Sequence, residues 1–212
     1  ATARLLLGLA NPSGHTTMTW PKENTDTIYG YNQPTALYPG DTPGIHPERL
    51  KGIGRAPSKE TQGIYSGYRY YDQLGLPVQF PFGFGLSYTS FKFSALKLRP
   101  NKDGSLTVAF DLTNTGSVPG AAVPQVYVGP GPAVAGVQQA VRSLRGFDRV
   151  YLTPGQTKHI TILLDARSFQ YWSETAQRWI TNQGRRTIFV GEADATRYLP
   201  LSASVVIVKE GI

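Results

Sequence analysis

From Phe91 onward, hydrophobic and polar positions alternate along the chain with period two. Phe91-Lys-Phe-Ser-Ala-Leu-Lys-Leu98 and Leu106-Thr-Val-Ala-Phe-Asp-Leu112 carry this pattern on either side of an Asn101-Lys-Asp-Gly104 turn. Successive side chains of a strand point to opposite faces, so the alternation predicts a hairpin with one buried face. Further strands are expected at Val123–Val128, Arg149–Leu152 and Lys158–Leu164, with turns at Gly116–Gly120 and Pro154-Gly155. A second hairpin, Phe169–Trp172 with Arg178–Ile180, precedes strands at Arg186–Val190 and Leu199–Val208. At least seven short strands with turns about every ten residues read as an antiparallel β-sandwich.

The first part of the chain is patterned differently. Ala1–Ala10 reads as a helix end, stopped by Pro12 in an Asn11-Pro-Ser-Gly14 turn. Thr16-Thr-Met-Thr-Trp20 alternates and is rich in β-branched residues, which predicts a strand ended by Pro21. A helix end and one strand do not make a domain, so the chain is expected to be a piece of a longer polypeptide. Residues 21–79 show little periodicity and recurrent Asn, Asp, Gly and Pro, the mark of long loops. Tyr29, Tyr31 and Tyr38 within them argue against disorder.

Composition narrows the function classes. The 212 residues suffice for one large or two small domains. Twelve tyrosines against a single methionine favour strands, turns and sugar-facing surfaces over a helical bundle. Cysteine is absent, which removes disulfides and thiolate metal sites. His15, His46 and His159 are far apart in sequence, and no acidic residue stands beside them at the spacing of a zinc or calcium site; His159 is expected as a satisfied sheet residue. The net charge of +7 is scattered, with Gly184-Arg-Arg186 in an expected turn as its nearest approach to a cluster. No nucleic-acid-binding signature accompanies it, so the charge is read as surface solubility. No apolar run reaches the length of a membrane span.

Two motifs stand out from this background. Phe80-Pro-Phe-Gly-Phe-Gly-Leu-Ser-Tyr88 alternates glycines with phenylalanines, which calls for close backbone approach between buried rings. A free linker carries little aromatic surface, so the segment is expected to be clamped between folded layers. Gly63-Ile-Tyr-Ser-Gly-Tyr-Arg-Tyr-Tyr71 precedes it. Together with Asn11-Pro-Ser-Gly14, Gly67-Tyr-Arg-Tyr-Tyr-Asp72, Phe80–Thr89 and Leu144-Arg-Gly-Phe147, these motifs resemble the C-terminal third of glycoside hydrolase family 3. Order and spacing match from about residue 5 to about residue 208.

That resemblance implies a mainly β fold: a fibronectin type III-like (immunoglobulin-like) antiparallel β-sandwich over residues 91–212, preceded by the C-terminal remnant of an α/β sandwich domain over residues 1–80. Residues 81–90 would brace the two. It further implies part of a retaining, exo-acting β-glycosidase, a β-glucosidase in the first place and a β-xylosidase as the alternative, hydrolysing terminal non-reducing β-linked sugars. The implied partners are the N-terminal barrel and the rest of the α/β sandwich of the same enzyme, together with an oligosaccharide, polysaccharide or glycoside substrate. No cofactor, nucleic acid or membrane is implied, and the family's usual substrates point to a secreted enzyme.

Retention requires two carboxyl groups about 5–5.5 Å apart, one nucleophile and one acid/base. The implied nucleophile is an aspartate of the barrel, and no Ser-Asp-Trp motif of that kind occurs in residues 1–212, so this chain alone is expected to be inactive. Many family members carry the acid/base glutamate immediately before the Gly-Ile/Leu-x-x-Gly-Tyr-Arg motif; here that position is Gln62. A glutamine amide can hold a glycosidic oxygen by hydrogen bond but cannot exchange a proton with it near neutral pH. Three readings stand side by side. Gln62 is a Glu→Gln change that traps substrate; Glu60 takes over as acid/base; or the acid/base lies elsewhere and Gln62 is an ordinary loop residue. The plain account of Glu60, beside Lys59, is a solvated loop charge. Arg69 is read as a structural ion-pair residue with Asp72 as its natural partner, and Trp172 and Trp179 as hairpin packing. The rival to an enzyme piece is a stand-alone carbohydrate-binding or scaffold sandwich.

Overall fold

The structure, a computed structural model, describes residues 2–23, 26–27 and 63–208. Gln62 and Glu60 lie outside the described residues, as do Tyr29, Tyr31, Tyr38 and His46. In chain order the elements are α1 (Thr2–Leu6), β1 (Trp20–Pro21), α2 (Tyr68–Leu74), β2 (Val78–Phe80), β3 (Phe91–Pro100), β4 (Leu106–Asn114), β5 (Gly120–Ala122) and β6 (Gln125–Val128). They continue with β7 (Ser143–Phe147), β8 (Val150–Leu152), β9 (Thr157–Leu164), β10 (Gln170–Ser173), β11 (Arg178–Thr181), β12 (Gly184–Gly191) and β13 (Leu201–Ile207).

The sandwich forms from β3 onward, and the fold is mainly β with antiparallel sheets. One sheet runs β3-β4-β9 and the other β13-β12-β6-β7; β5 pairs with β8, and β10 with β11. The period-two pattern of β4 becomes strict burial, with Leu106, Val108, Phe110 and Leu112 all 0 % exposed. They pack in one cluster with Val126 and Val128 of β6, Ile188 and Val190 of β12, and Ile160, Ile162 and Leu164 of β9. Each such side chain contributes roughly 1.5–3 kcal/mol through burial, so this facing pair of sheets holds the fold together.

Local chemistry sets the turns and irregularities. Asn101–Gly104 closes the β3–β4 hairpin; the Asp103 carboxylate accepts from the Ser105 N–H at 3.0 Å and from its hydroxyl at 2.6 Å. The alternation in β3 breaks at Ala95-Leu96, and there the β3–β4 register shifts between Ser94 and Lys97, with Ala95 at φ +55°. At Gly146 of β7, an added Cβ would come within 2.5 Å of Ile162 and 2.8 Å of Leu164. Only glycine lets β7 lie this close over β9.

Several expectations are corrected. Thr16–Trp20 is not a strand: only Trp20–Pro21 pairs, with Val78–Phe80, while His15 bridges Gly85. The backbone of Thr16 is instead spent on the Phe80–Tyr88 segment. Residues 68–74, read within a loop region, form α2, which buries Tyr70 and ends at Gly75 in the left-handed region (φ 62°, ψ 28°). Gly184-Arg-Arg186 is the start of β12 and not a turn, and Arg186 is buried at 7 % exposure instead of serving solubility. β5 and β7 add strands where none was assigned. His159 is paired as expected, its Nδ1 2.7 Å from the Asp111 carboxylate on neighbouring β4.

Candidate functional site

Gly63 is the first described residue after the candidate acid/base position, and the chain from there on is fastened to the sandwich. Gly63 (φ +60°) lies against the side chain of Gln138, and the Ile64 N–H points to the Gln138 Oε1 at 3.5 Å. The Tyr65 hydroxyl faces the Gln139 carbonyl oxygen at 3.5 Å. Gly67, at φ 56° and ψ −136°, makes the turn into α2 that a side chain would oppose. Tyr68 then accepts a hydrogen bond from the Leu144 N–H of β7 at 2.9 Å. Burial, offset in part by that bond, raises its phenol above the ordinary range.

The ring of Tyr68 ties this segment to the Phe82-Gly-Phe-Gly85 motif. It lies 5.2 Å from Phe82 and meets Tyr127 of β6 edge-on at 6.1 Å. Phe84 packs on Phe80 at 4.9 Å and on Tyr198 at 5.9 Å. Gly83 (φ +83°) leaves room for the amide of Gln125, whose Oε1 accepts from the Tyr127 hydroxyl. On the other side, the His15 ring nitrogen Nδ1 meets the Gly83 carbonyl at 2.7 Å, and the Thr16 hydroxyl donates to the Pro81 carbonyl at 2.8 Å. Backbone bonds from Thr16 N–H to Phe84 O and from Gly83 N–H to Thr16 O, each 2.8 Å, complete the clasp. The glycine–aromatic alternation thus holds rings on one side and backbone on the other.

Beneath this lies a charged cluster that sequence reasoning missed. Arg142 Nε donates to Asp72 Oδ2 and to Asp194 Oδ1, both at 2.8 Å, and its Nη2 donates to Asp72 Oδ1 at 2.5 Å. Asp72 therefore pairs with Arg142 and not with Arg69, which instead lies over the Tyr68 ring at 5.1 Å. The cluster is nearly dry, with Asp194 only 2 % exposed at its side chain. Two carboxylates against one guanidinium leave excess negative charge. Desolvation first, and Asp72 second, raise Asp194 to about 7; desolvation raises Asp72 as well. Asp194 can therefore hold a proton near neutrality. Its backbone N–H also donates to the Phe82 carbonyl at 2.8 Å, so α2, the glycine–aromatic motif and the sandwich meet at this point. No local pattern announces the cluster, because its members are 52 and 70 residues apart in sequence.

A cavity of about 540 Å³ opens beside the cluster, lined by Thr19, Lys22, Tyr71, Asp72 and Arg142 among others. Both carboxylates are committed to Arg142, which suits a brace better than proton transfer to a bound sugar. Trp172 and Trp179 form a cross-strand pair on the β10–β11 hairpin, 5.6 Å apart and edge-on, with Arg167 3.9 Å over Trp179. Both indoles remain 43 % exposed. Among the described residues no group of three or more His, Cys, Asp or Glu could hold a metal ion, and no helix is long and apolar enough to cross a membrane.

Comparison with known proteins bears on the whole arrangement. The fibronectin type III-like domain family matches residues 122–193. A probable β-glucosidase M of Aspergillus fumigatus is 34% identical over 229 residues, covering 96% of this chain and 26% of its own length. An exo-α-(1→6)-L-arabinopyranosidase of Bifidobacterium breve is 42% identical over 130 residues, covering 61% of this chain and 17% of its own. The crystal structure of a β-glucosidase from Streptomyces venezuelae in complex with D-glucose superposes with a TM-score of 0.83 at 33% identity, over 98% of this chain and 24% of that one. A GH3 β-glucosidase from Bifidobacterium adolescentis gives 0.81 at 32% identity, over 97% of this chain and 27% of that one. The chain spans about a quarter of the length of these β-glucosidases.

Proposed function

We propose that this chain, which belongs to the C-terminal part of glycoside hydrolase family 3, anchors the acid/base segment of a retaining, exo-acting β-glycosidase. A β-glucosidase is the simplest form of that reading, since the relatives matched over nearly the whole chain carry that name. The observation that carries it is the fastening of residues 63–68 to the sandwich: Gly63 and Ile64 on Gln138, and Tyr68 on Leu144. The chain directly after position 62 thus has a fixed base, which a proton donor needs if it is to meet the glycosidic oxygen at hydrogen-bond distance.

In this reading the nucleophile comes from a barrel supplied outside this sequence, and position 62, when it is Glu, protonates the leaving oxygen and later activates water. With Gln62 the site binds but lacks that proton. The sandwich contributes rigidity, and the Asp72–Arg142–Asp194 cluster fixes α2 against it. Exposed apolar side chains favour this enzyme piece over a stand-alone module. Leu6, Leu7, Leu9, Met18, Trp20, Leu86 and Tyr88 are all more than half exposed. Residues 5–11 and 87–88 are joined there by bonds from the Tyr88 hydroxyl to the Leu5 carbonyl at 2.7 Å and from the Tyr88 N–H to Asn11 Oδ1 at 2.8 Å. Such a surface suits contact with the remainder of an enzyme.

The test is to assay the complete enzyme with Gln62 and with Gln62→Glu on aryl β-glucoside and aryl β-xyloside. A large gain with Glu supports the assignment, and the better substrate names the sugar. The arabinopyranosidase among the relatives makes an aryl α-L-arabinopyranoside the natural third substrate.

A further inference from the structure

A second cavity, of about 610 Å³, is lined by Ile64, Ser66 and Arg69 together with residues of the sandwich. Its size is that of a small-molecule site and far exceeds an inorganic ion. Arg69, Arg145 and Arg186 line it together with Tyr171 and Trp172, and among the described residues no Asp or Glu does. Among the described residues, none of these arginines has a carboxylate within ion-pair distance. Asp165 reaches Arg145 only as a weaker, more distant charge.

Arg186 is the least expected of the three. It is 93 % buried, since only 7 % of it is exposed. Its Nη1 donates to the Gly129 carbonyl at 3.3 Å and its Nη2 to the Asn182 carbonyl at 3.0 Å, which fixes the guanidinium plane. Its Nε–H is buried with no acceptor. Gly131 packs directly on this guanidinium, where an added Cβ would come within 2.7 Å of Cζ. Loss of hydration and the neighbouring Arg145 hold Arg186 below the usual guanidinium range; loss of hydration and Arg69 do the same to Arg145. Gathering like charges around a cavity is unfavourable unless an anion enters it. Guanidinium forks fit a carboxylate. Trp172, pinned by Trp179 yet 43 % exposed, offers the flat apolar face that a pyranose ring can cover.

We propose that this cavity binds a carboxylate-bearing sugar, a hexuronate residue of a glycan or glycoside. Arg69, Arg145 and Arg186 take the carboxylate and Trp172 takes the ring. The proposal does not rest on the role assigned to position 62, and its test reads binding and not turnover.

The experiment is calorimetric titration of the complete enzyme with methyl β-D-glucuronide, methyl β-D-glucoside and sodium sulfate. Arg145→Gln, Arg186→Gln and Trp172→Ala are titrated alongside, with thermal unfolding as the folding control. Arg145 and Trp172 are exposed, so their variants keep the test open if the Arg186 variant does not fold. The expected result is saturable glucuronide binding, weakened about tenfold or more in Arg145→Gln and also weakened in Trp172→Ala. Glucoside binding should be indifferent to Arg145. The proposal is overturned by absence of saturable glucuronide binding, or by glucuronide binding that neither variant changes. It is equally overturned if sulfate binds as tightly as the glucuronide and Trp172→Ala has no effect, which would mark a bare anion site. Loss of thermal stability in Arg145→Gln without glucuronide binding would overturn it too, since the counter-charge would then be the enzyme's own.

Discussion

Arg142 and Asp72 are 70 residues apart in sequence and meet through hydrogen bonds of 2.8 and 2.5 Å. Asp72 lies on α2 and Arg142 just before β7, so this one pair spans from the segment following position 62 to the sandwich. Asp194 completes the junction through the same guanidinium. The pair is nearly dry, with side chains 11 % and 10 % exposed, and breaking it strands a buried charge.

Replacing Arg142 by leucine should therefore cost about 3–5 kcal/mol. Two carboxylates would be left facing each other without a cation. The loss should be local first: amide hydrogen exchange should accelerate in residues 68–74 and at Asp194 before it does in β4. Uniform acceleration throughout the sandwich would show that the cluster is part of the main core and not a junction.

Asp194 gives a dependence on pH. Its carboxyl is raised from 3.8 to about 7, so folding takes up a proton there. Its contribution favours the fold fully below about 3.8 and is lost as pH climbs to about 7. Asp72 is shifted in the same direction. Asp194→Asn keeps an oxygen acceptor for Arg142 without the charge. It should flatten the stability profile between these pH values and stabilise the protein above pH 7, as read by thermal unfolding against pH. An unchanged slope would place the titration elsewhere.

Gly83 and Gly146 are required for different reasons. Gly83 sits at φ +83° against the Gln125 amide, and Gly146 lies under Ile162 and Leu164. Alanine at Gly83 meets both a left-handed backbone and a side-chain clash; alanine at Gly146 overpacks the core. We expect losses of about 1–3 kcal/mol at each. Only the Gly83 variant should disturb the Tyr127–Gln125 contact, visible as altered near-ultraviolet circular dichroism.

The sandwich was legible in the sequence wherever alternation is sustained. β4 and β9 carry period-two patterns and lie where that pattern puts them, and the β10–β11 hairpin forms where a hairpin was expected. β5, a Gly-Ala-Ala stretch, has no such signal and is a strand only because β8 pairs with it. α2 was hidden because Tyr68-Arg-Tyr-Tyr71 is aromatic-rich, a strand preference that the burial of Tyr70 and the bounding Gly67 and Gly75 override. Thr16–Trp20 failed in the opposite sense: its propensity is for strand, yet Thr16 pairs with the Pro81–Phe84 loop. Charged partners were the least legible of all. Arg69 stands three residues before Asp72 and was the obvious mate, while the true one arrives from β7's approach. Arg186, read as a turn charge, is buried on Phe169 at 5.9 Å.

Tyr68→Phe isolates the anchor of the segment that follows position 62. It keeps the ring against Phe82 and Tyr127 but leaves the Leu144 N–H without its acceptor. The expected cost is about 1–3 kcal/mol, with faster exchange of the Leu144 amide. In an enzyme carrying Gln62→Glu, the same change should lower kcat more than it raises KM.

Turnover of the complete enzyme with Gln62 against Gln62→Glu, on an aryl β-glucoside at neutral pH, tests the central claim most directly. The account predicts that Glu raises kcat/KM by about 100- to 10,000-fold, with a pH profile that gains an acidic limb. Equal rates for the two forms would contradict it, and would move the proton donor to Glu60 or out of this chain altogether.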